Sequence, residues 1–458
     1  MAESKLHAGV ARIDVTPPMG VEMCGYGPYE KRVCTDVLDP LCARGLWLQC
    51  GGEAVVIITA DLCTVDASTR NEAAERISRR AGIPPENILI AASHTHSGPS
   101  TQLMIGWGER DPGYMRHLPM LFAEAALQAR DAARPARLGC ARKRVWNVGV
   151  NREQPEFGPL DTATQLLRVD REDGSTMAVV FNFGAHAVTR YPYTSRISAD
   201  WPGLAAACLR HELGGPVALF LQGCCGNING HNVIFHRTDP QTRQKTCDMQ
   251  VGWTAQHFCD QVLPAVRAIK TEPAVRLKAI FRIIPLPCVQ PDRNELQRAI
   301  DANVKVADSM SLAELRPLHE RIESETKEEQ AWRRARFDVD SSRHQLGILD
   351  DPPEAIEAPL QVLGIGDAAI VGWPGEVFVE LGIEARQRSP RPMTFVASFS
   401  NGCVGYIPTE AAFESQGRPN QFGIYPCRMT PRIYGRLPFR SDVPRVLVEE
   451  TIKTLAAL

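Results

Sequence analysis

A strand–turn–strand–helix–strand pattern recurs three times along this chain and constrains its fold more than any other feature. In each copy, two apolar runs flank a tight turn, a helical stretch follows, and a further apolar run comes after it. The turns lie at Gly51-Gly52, Asp173-Gly174 and Gly366-Asp367. Hairpins are too frequent here for a purely parallel sheet. The pattern therefore predicts an α/β fold of mixed β-sheets flanked by helices, built from repeated hairpin–helix–strand units.

The strands of these units end in polar residues that can bind metal or donate hydrogen bonds. They are Asp61, His94, His186, Glu376 and Tyr406. Because strand ends of one sheet system converge on a common edge, we expect these side chains to meet around a metal site. A role as ordinary capping and turn residues is the alternative.

Two histidines follow directly after the apolar run Ile88–Ala92, as His94 and His96 in the segment Ser93-His94-Thr95-His96-Ser97-Gly98-Pro99. If the strand persists, both imidazoles leave the same face of the sheet edge, since strand side chains alternate with period two. Neutral imidazole is a good zinc ligand. The spacing favours a metal site over a pair of loop histidines that hydrogen-bond to their neighbours.

Composition describes an ordinary soluble globular protein, with 44% hydrophobic and 23% charged residues and a formal net charge of -2. This balance argues against nucleic acid or an anionic membrane as the main partner. No apolar run approaches the ~20 residues of a membrane span, so we expect no stable membrane association. The predicted partner is a small-molecule substrate, and the oligomeric state is left open.

The fourteen cysteines contain no C-x-x-C spacing, and the N-terminus has no apolar signal core. These features predict free thiols in a reducing compartment rather than a disulfide framework. We therefore expect a cytoplasmic protein.

One segment breaks the repeat, from about residue 292 to 346, where Glu, Arg, Lys and Ala dominate. Its composition predicts one or two long solvated helices between the second and third units, called here the helical excursion. A lid over the site is the alternative. We predict one catalytic domain over residues 1–458, with an N-terminal part (1–275) and a C-terminal part (276–458). The two parts must share the site, because its candidate residues lie in both.

Several segments, taken in order, resemble the neutral/alkaline, non-lysosomal ceramidase family in its N-terminal catalytic domain. No single piece is specific, whereas the ordered set is. The matching pieces are residues 8–18, 39–44 and 94–99, Asn151-Arg152, His186, Asp200, Pro374-Gly375-Glu376 and Tyr406-Ile407-Pro408-Thr409.

The resemblance implies one catalytic zinc ion per chain, held by His94, His186, Glu376 and Tyr406. Binding of a second cation is left open. It places His96 beside the metal and Arg152 against the polar end of the substrate. Zinc in such a site lowers the pKa of its bound water toward neutrality and polarises a carbonyl for attack.

The chain departs from the family pattern in the loop 226–231, where Asn229 occupies the place of a serine proposed as nucleophile. An amide cannot form an acyl-enzyme, although it can donate a hydrogen bond to an oxyanion. The chain also stops where ceramidases continue into a C-terminal β-sandwich domain. We therefore expect a shorter member that acts on a substrate other than ceramide.

Four further residues are candidates for a supporting role around the metal. Asp61 holds in the first unit the place that Glu376 holds in the third, and Asp200 is expected to cap a helix. His231 adds an imidazole to the loop. Tyr425 is the nearest candidate for a second family tyrosine, which is not at the expected offset after Tyr406.

The leading functional hypothesis is a zinc-dependent hydrolase that cleaves an amide bond of a small polar or amphiphilic substrate. Attack by metal-activated water without an acyl-enzyme is expected, because Asn229 replaces the serine. A zinc-dependent lactonase, esterase or glycoside-cleaving enzyme would use the same chemistry. A catalytically inactive metal-binding relative is the alternative from another class.

Overall fold

The computed structural model describes residues 5–154, 157–190, 194–230, 240–415 and 424–458. The strands in these residues are β1 (Leu6–Asp14), β2 (Asp36–Val37), β3 (Cys42–Cys50), β4 (Glu53–Ala60), β5 (Ile88–Ala92), β6 (Arg134–Arg144), β7 (Gly149–Asn151), β8 (Ala163–Arg171), β9 (Thr176–Phe183), β10 (Arg196–Ile197), β11 (Val217–Gln222), β12 (Ile228–Gly230), β13 (Leu277–Pro287), β14 (Ala355–Ile365), β15 (Ala368–Gly372), β16 (Glu376–Val377), β17 (Met393–Ala397) and β18 (Tyr406–Ile407).

The helices alternate with these strands. They are α1 (Ala67–Ala81), α2 (Pro112–Asp131), α3 (Asp200–Glu212), α4 (Pro240–Ala268), α5 (Arg293–Ala307), α6 (Leu318–Arg321), α7 (Lys327–Ile348), α8 (Val379–Arg388), α9 (Glu410–Glu414), α10 (Thr430–Ile433) and α11 (Val443–Ala456).

Two mixed sheets carry the fold. The larger has eight strands in the order β11-β9-β8-β6-β1-β3-β4-β5, and the smaller has four in the order β13-β14-β15-β17. Short two-stranded pairings, β12 with β7 and β16 with β18, bring loop segments together beyond the strand ends.

The predicted unit is confirmed three times. Each begins with an antiparallel hairpin, formed by β3 and β4, by β8 and β9, and by β14 and β15. The helix that follows each hairpin carries the chain to a strand that lies parallel to the hairpin's second strand. Two units belong to the larger sheet and one to the smaller, and the expected mixed α/β architecture is confirmed.

The two sheets pack face to face around a shared apolar core. Leu46 and Val180 of the larger sheet belong to the same buried cluster as Leu363 and Ile370 of the smaller sheet. The other faces are covered by helices, α2 and α3 on the larger sheet and α8 and α11 on the smaller. This arrangement buries both faces of the central strands, which explains their continuous apolar runs.

The helical excursion is less solvated than the sequence predicted. Its two long helices, α5 and α7, pack on each other, and α7 starts with a capping box between Thr326 and Glu329. Trp332 on α7 is 1% exposed, and Arg321 on α6 is fully buried. The expectation of solvated helices was wrong for this inner face, because it packs against an N-terminal loop through Tyr29. In the described part of the chain, no helix combines the length and apolarity that a membrane crossing needs.

Candidate metal centre

Two histidines and a glutamate converge at the strand ends. His94 Nε2 lies 3.4 Å and His186 Nε2 lies 3.3 Å from the same oxygen, Glu376 Oε2. All three side chains are buried, and their ligand atoms lie within 4.8 Å of one another. Two imidazole nitrogens and one carboxylate oxygen form a donor set typical of catalytic zinc sites.

Main-chain carbonyls orient both imidazoles. His94 Nδ1 lies 2.9 Å from the carbonyl oxygen of Cys63, and His186 Nδ1 lies 3.0 Å from that of Ile228. A carbonyl only accepts hydrogen bonds, so each Nδ1 carries the proton and each Nε2 presents a lone pair. His94 has a left-handed backbone (φ 64°), and its ring stacks on Phe399 with a centroid separation of 4.0 Å.

Glu376 is held from both sides. Its backbone N–H donates to the carbonyl of Gly405 at 2.9 Å, and the hydroxyl of Tyr434 donates to Oε1. Oε2 therefore remains the oxygen that faces the histidines. In the parallel pairing of β16 with β18, Tyr406 is the direct partner of Glu376, which brings this tyrosine to the same place.

Electrostatics favour the protonation states that a metal needs. Burial would raise the pKa of the Glu376 carboxyl, but His94 and His186 hold it well below its usual range. Burial also lowers the pKa of His186 to about 4. An ionised Glu376 carboxylate and a neutral His186 imidazole are the states in which these two groups bind a cation.

A second group of potential ligands overlaps the first and is less suited to a metal. It consists of Cys63, His94 and His96. A hydrogen bond with Cys24, followed by burial, raises the pKa of the Cys63 thiol well above its usual value. His94 Nδ1 is already used by the Cys63 carbonyl. The geometry therefore favours the set of His94, His186 and Glu376.

His96 lies beside His94, His186 and Glu376, which are called here the metal group. Its Nε2 lies 3.1 Å from His94 Nε2, and burial holds its pKa well below the usual range for histidine. Within the described residues its buried Nδ1 has no hydrogen-bond partner. The neutral ring is therefore placed to hydrogen-bond a ligand next to the metal.

Arg152 links the metal group to the loop in which Asn229 lies. Its Nη2 donates to the Tyr406 hydroxyl at 2.6 Å and to the carbonyl of Gly226. Its Nη1 donates to Asn229 Oδ1 at 3.4 Å, a long hydrogen bond. Asn229 is positioned by the pairing of β12 with β7, which places it opposite Val150.

A cavity of about 330 Å³ opens beside these side chains. Its lining includes six residues that the sequence singled out, namely His96, Arg152, His186, Asn229, Tyr406 and Tyr425. The Tyr425 ring meets the Tyr406 ring edge-on with centroids 5.6 Å apart. Candidate metal ligands, a cation and an amide thus face one space that a small molecule can enter.

Asp61 is directed toward strand β3. Its carboxylate accepts hydrogen bonds from Arg44 Nη1 at 2.7 Å and from the backbone N–H of Cys42 at 2.9 Å. It supports the centre through its own segment, because the next residue, Leu62, accepts the His94 backbone N–H at 2.8 Å. A role for Asp61 beside the metal stays a prediction.

Asp200 fixes the turn that follows His186. Its buried carboxylate accepts from the backbone N–H of Arg190 at 2.9 Å and of Trp201 at 2.6 Å. The Trp201 indole N–H in turn donates to the carbonyl of His186 at 3.3 Å. His231, the other predicted supporting residue, lies outside the described residues.

Sequence reasoning missed Tyr434, which donates to Glu376 Oε1. Tyr434 follows the short helix α10 and belongs to none of the repeated units, so no periodic pattern marks it. The carbonyls of Cys63 and Ile228 were also missed, since main-chain acceptors leave no trace in residue type.

Comparison with known proteins identifies the family of this chain. Residues 6–254, more than half of the 458-residue chain, match the family model described as neutral/alkaline non-lysosomal ceramidase, N-terminal. The chain belongs to this ceramidase family. The match contains His94, His96, Arg152, His186 and Asn229, so the resemblance stated from the sequence is confirmed.

Individual relatives of the ceramidase family are distant. Neutral ceramidase B of Dictyostelium discoideum is 22% identical over 231 residues, covering 44% of this chain and 31% of that protein. Neutral ceramidase of Mycobacterium tuberculosis (strain ATCC 25618 / H37Rv) is 25% identical over 228 residues, covering 42% of this chain and 34% of that protein. The matched region thus spans about a third of the length of these relatives.

The fold is shared with a solved ceramidase. The crystal structure of neutral ceramidase from Pseudomonas aeruginosa superposes with a TM-score of 0.73 at 16% identity, covering 99% of this chain and 75% of that one. A structure described as ceramidase complexed with C2 matches equally well. At this identity the likeness establishes the ceramidase fold.

Proposed function

We propose that this chain is a zinc-dependent hydrolase that cleaves the amide bond of an N-acylated, ceramide-like amphiphile. The observation that carries the proposal is the convergence of His94 and His186 Nε2 on Glu376 Oε2, with both imidazoles oriented by main-chain carbonyls. Membership of the ceramidase family supports the choice of an amide bond.

The residues present fit a zinc ion. The lowered pKa values of His186 and Glu376 give these two residues their metal-binding protonation states, and Tyr406 lies next to Glu376 as a fourth candidate ligand. When bound, zinc supplies an acidified water and polarises the scissile carbonyl.

The chain's own residues bind and orient the substrate. Arg152 is fixed by the Tyr406 hydroxyl and the Gly226 carbonyl, so it presents a positive charge to the polar end of the substrate. Asn229 accepts from Arg152 through Oδ1, which leaves its Nδ2 as a donor toward a developing oxyanion. An amide side chain forms no acyl-enzyme, and the reaction is therefore a direct hydrolysis.

The substrate class follows from the cavity and the family together. The cavity combines apolar surface from Val188 and Met429 with the polar groups of Arg152 and Asn229. Such a lining suits an amphiphile whose amide lies against the polar end. This proposal differs from the sequence-based expectation of a substrate other than ceramide, and a panel that contains both ceramides and other N-acyl compounds decides between the two.

Metal analysis and a substrate panel test the proposal together. Purified protein is expected to retain one zinc ion per chain and to release fatty acid from N-acylsphingosines, with N-acyl and O-acyl analogues as competitors. His186→Ala should lose metal and activity together, because it removes one of the three converging ligands. His211→Ala, at an exposed position on α3, is the control and should keep both.

Two outcomes would contradict the proposal. Full metal occupancy in His186→Ala would remove His186 from the site. Wild-type protein that holds zinc yet cleaves nothing in the panel would instead favour a metal-binding relative without catalysis.

A further inference from the structure

One wall of the cavity is a loop from the N-terminal part of the chain, residues 24–32, called here the wall loop. Tyr26, Gly27 and Pro28 line the cavity. The Tyr26 ring meets the His96 ring edge-on, with centroids 5.1 Å apart. A Cβ added at Gly25 would overlap the His96 ring. The path of the wall loop therefore sets both the room beside the metal group and the position of His96.

The wall loop has a strained backbone. Tyr26, Tyr29 and Lys31 adopt positive φ angles of 73°, 53° and 48°. Side-chain-bearing residues rarely adopt this conformation, and it persists only where the surroundings enforce it. Three such residues within six positions require strong external contacts, because the isolated segment would relax to other conformations.

Contacts from the inner side come from Arg32. Its fully buried guanidinium donates to the carbonyls of Cys24 and His96, both at 2.8 Å. The same group lies over the Tyr26 ring, 4.8 Å from its centroid. These hydrogen bonds hold the two ends of the wall loop near His96. The middle of the wall loop is held by other contacts.

Contacts from the outer side come from the helical excursion and centre on Glu30. Its carboxylate accepts from Arg321 Nη2 at 3.2 Å and from Arg333 Nη1 at 2.7 Å. Arg333 Nη1 also donates to the carbonyl of Pro28 at 3.0 Å. Glu325 pairs with both arginines, so one buried cation, Arg321, and one partly buried cation, Arg333, face two carboxylates.

Neighbouring residues of the wall loop are held by the same excursion. The Tyr29 hydroxyl donates to Asp340 on α7, and the Tyr29 ring lies 5.9 Å from the Trp332 ring. Lys31 Nζ donates to the carbonyl of Leu315 at 2.6 Å. Three consecutive residues, from Tyr29 to Lys31, thus make side-chain contacts with the segment that the sequence left without a role.

We propose that the helical excursion is a positioning element for substrate binding, with Glu30 as its connection to the cavity wall. Arg321 and Arg333 hold Glu30, and Glu30 holds Tyr26, Gly27 and Pro28 against the substrate. The kinetic part of this inference rests on the proposed function, whereas its structural part does not.

The charged groups fix the geometry of the contact between the helical excursion and the wall loop. When the charge of Glu30 is removed, the two guanidinium groups keep only one carboxylate, that of Glu325, between them, and in this largely shielded place the loss is costly. Bidentate and forked arginine contacts also fix orientation more tightly than apolar packing does. The network therefore specifies one path for the wall loop instead of merely covering it.

The test removes the charge of Glu30 with little change in shape. In Glu30→Gln, the peptide covering residues 24–32 is expected to exchange its amide hydrogens faster, while zinc content stays at the wild-type level. KM for an N-acylsphingosine should rise about 10-fold, more than kcat falls, because the substrate wall moves and the metal ligands do not. Glu328→Gln, an exposed carboxylate on the same α7, is the matched control and should behave as wild type.

A second pair of variants keeps the test decisive if Glu30→Gln does not fold. Arg333→Met should reproduce the faster exchange and the raised KM, and Arg333→Lys should restore part of both by returning the charge. The proposal would be overturned if hydrogen exchange in residues 24–32 and KM in these variants equalled the values of the control, Glu328→Gln. If wild-type protein cleaves no N-acyl substrate, the proposed function fails, and hydrogen exchange alone decides whether the excursion positions the wall loop.

Discussion

At the scale of single residues, the metal group is held largely by atoms that a sequence does not display. The carbonyls of Cys63 and Ile228 fix the two imidazoles. A neutral carbonyl orients a histidine without adding charge, so the ligand set keeps one negative charge, on Glu376. Substitutions at residues 63 and 228 that preserve the backbone should therefore leave metal binding intact.

Tyr434→Phe removes the hydroxyl that donates to Glu376 Oε1. Zinc affinity should fall about 10- to 100-fold, because the carboxylate loses the contact that fixes its orientation. Competition with a chelator at fixed pH measures the change. Tyr114→Phe, which removes a buried hydroxyl that donates to the Val15 carbonyl far from the site, is the control. Equal zinc affinities for the two variants would deny Tyr434 this role.

Asn229→Ala removes the amide that Arg152 holds in the cavity. If Nδ2 stabilises the oxyanion, kcat should fall about 10²-fold with little change in KM. Steady-state kinetics on an N-acylsphingosine provides the measurement. A wild-type kcat in the variant would restrict Asn229 to a scaffold role. A covalent substrate fragment found on the wild-type protein by mass spectrometry would refute direct hydrolysis.

At the scale of elements, glycines decide how closely α2 approaches the larger sheet. A Cβ at Gly9 on β1 would overlap the carbonyl of Ala129, and one at Gly45 on β3 would overlap that of Ala125. Both obstacles are backbone atoms of a packed helix, which cannot move aside alone. The helix must shift as a body, and the strands that lead to the site would shift with it.

Gly45→Ala should therefore destabilise the protein by about 3 kcal/mol through overpacking. Gly52→Ala is the matched control, because the added Cβ at that hairpin turn meets no atom within 4 Å. Urea unfolding followed by tryptophan fluorescence gives both free energies. Equal stability of the two variants would mean that α2 does not pack against β3 as described.

At the scale of the whole molecule, the candidate metal ligands come from both sheets. His94 follows β5 and His186 follows β9 of the larger sheet, whereas Glu376 follows β15 of the smaller one. A bound cation would therefore add a link between two layers that meet through an apolar core and through buried hydrogen bonds, such as those between Asn182 and Val396. Binding to the folded state alone stabilises it, by about 4 kcal/mol when free metal exceeds its dissociation constant 1,000-fold.

Without metal, the buried site should make the protein sensitive to acid. The pKa of His186 is about 4 in the folded chain, against an ordinary value of 6.5, so the unfolded chain takes up the proton first as pH falls. Metal-free protein should lose about 3 kcal/mol of stability between pH 6.5 and 4 from this residue. The lowered pKa of Glu376 acts in the same direction at lower pH.

Urea titrations of metal-free protein at several pH values measure this loss. His186→Gln has no titrating group at this position and should show a correspondingly smaller loss. If both proteins depend on pH equally, protonation of His186 contributes nothing to acid unfolding.

The fold could be predicted from sequence where a pattern repeats. Hairpin turns and apolar runs identified all three units, and strand ends located His94, His186, Glu376 and Tyr406 in one place. The repeated pattern does not predict the roles of side chains that lie in irregular segments. Tyr434 and the burial of Arg321 depend on contacts between distant parts of the chain, and residue type alone encodes neither.

The spacing of the ligands along the chain has a consequence for synthesis. His186 and Glu376 are separated by 190 residues. At translation rates of 5–20 residues per second, His186, the later of the two histidines, leaves the ribosome roughly 10–40 s before the carboxylate that completes the set. A nascent chain in that interval offers a cation only part of its final coordination. Tight metal capture, and any activity that depends on it, is therefore postponed until the second sheet has been made.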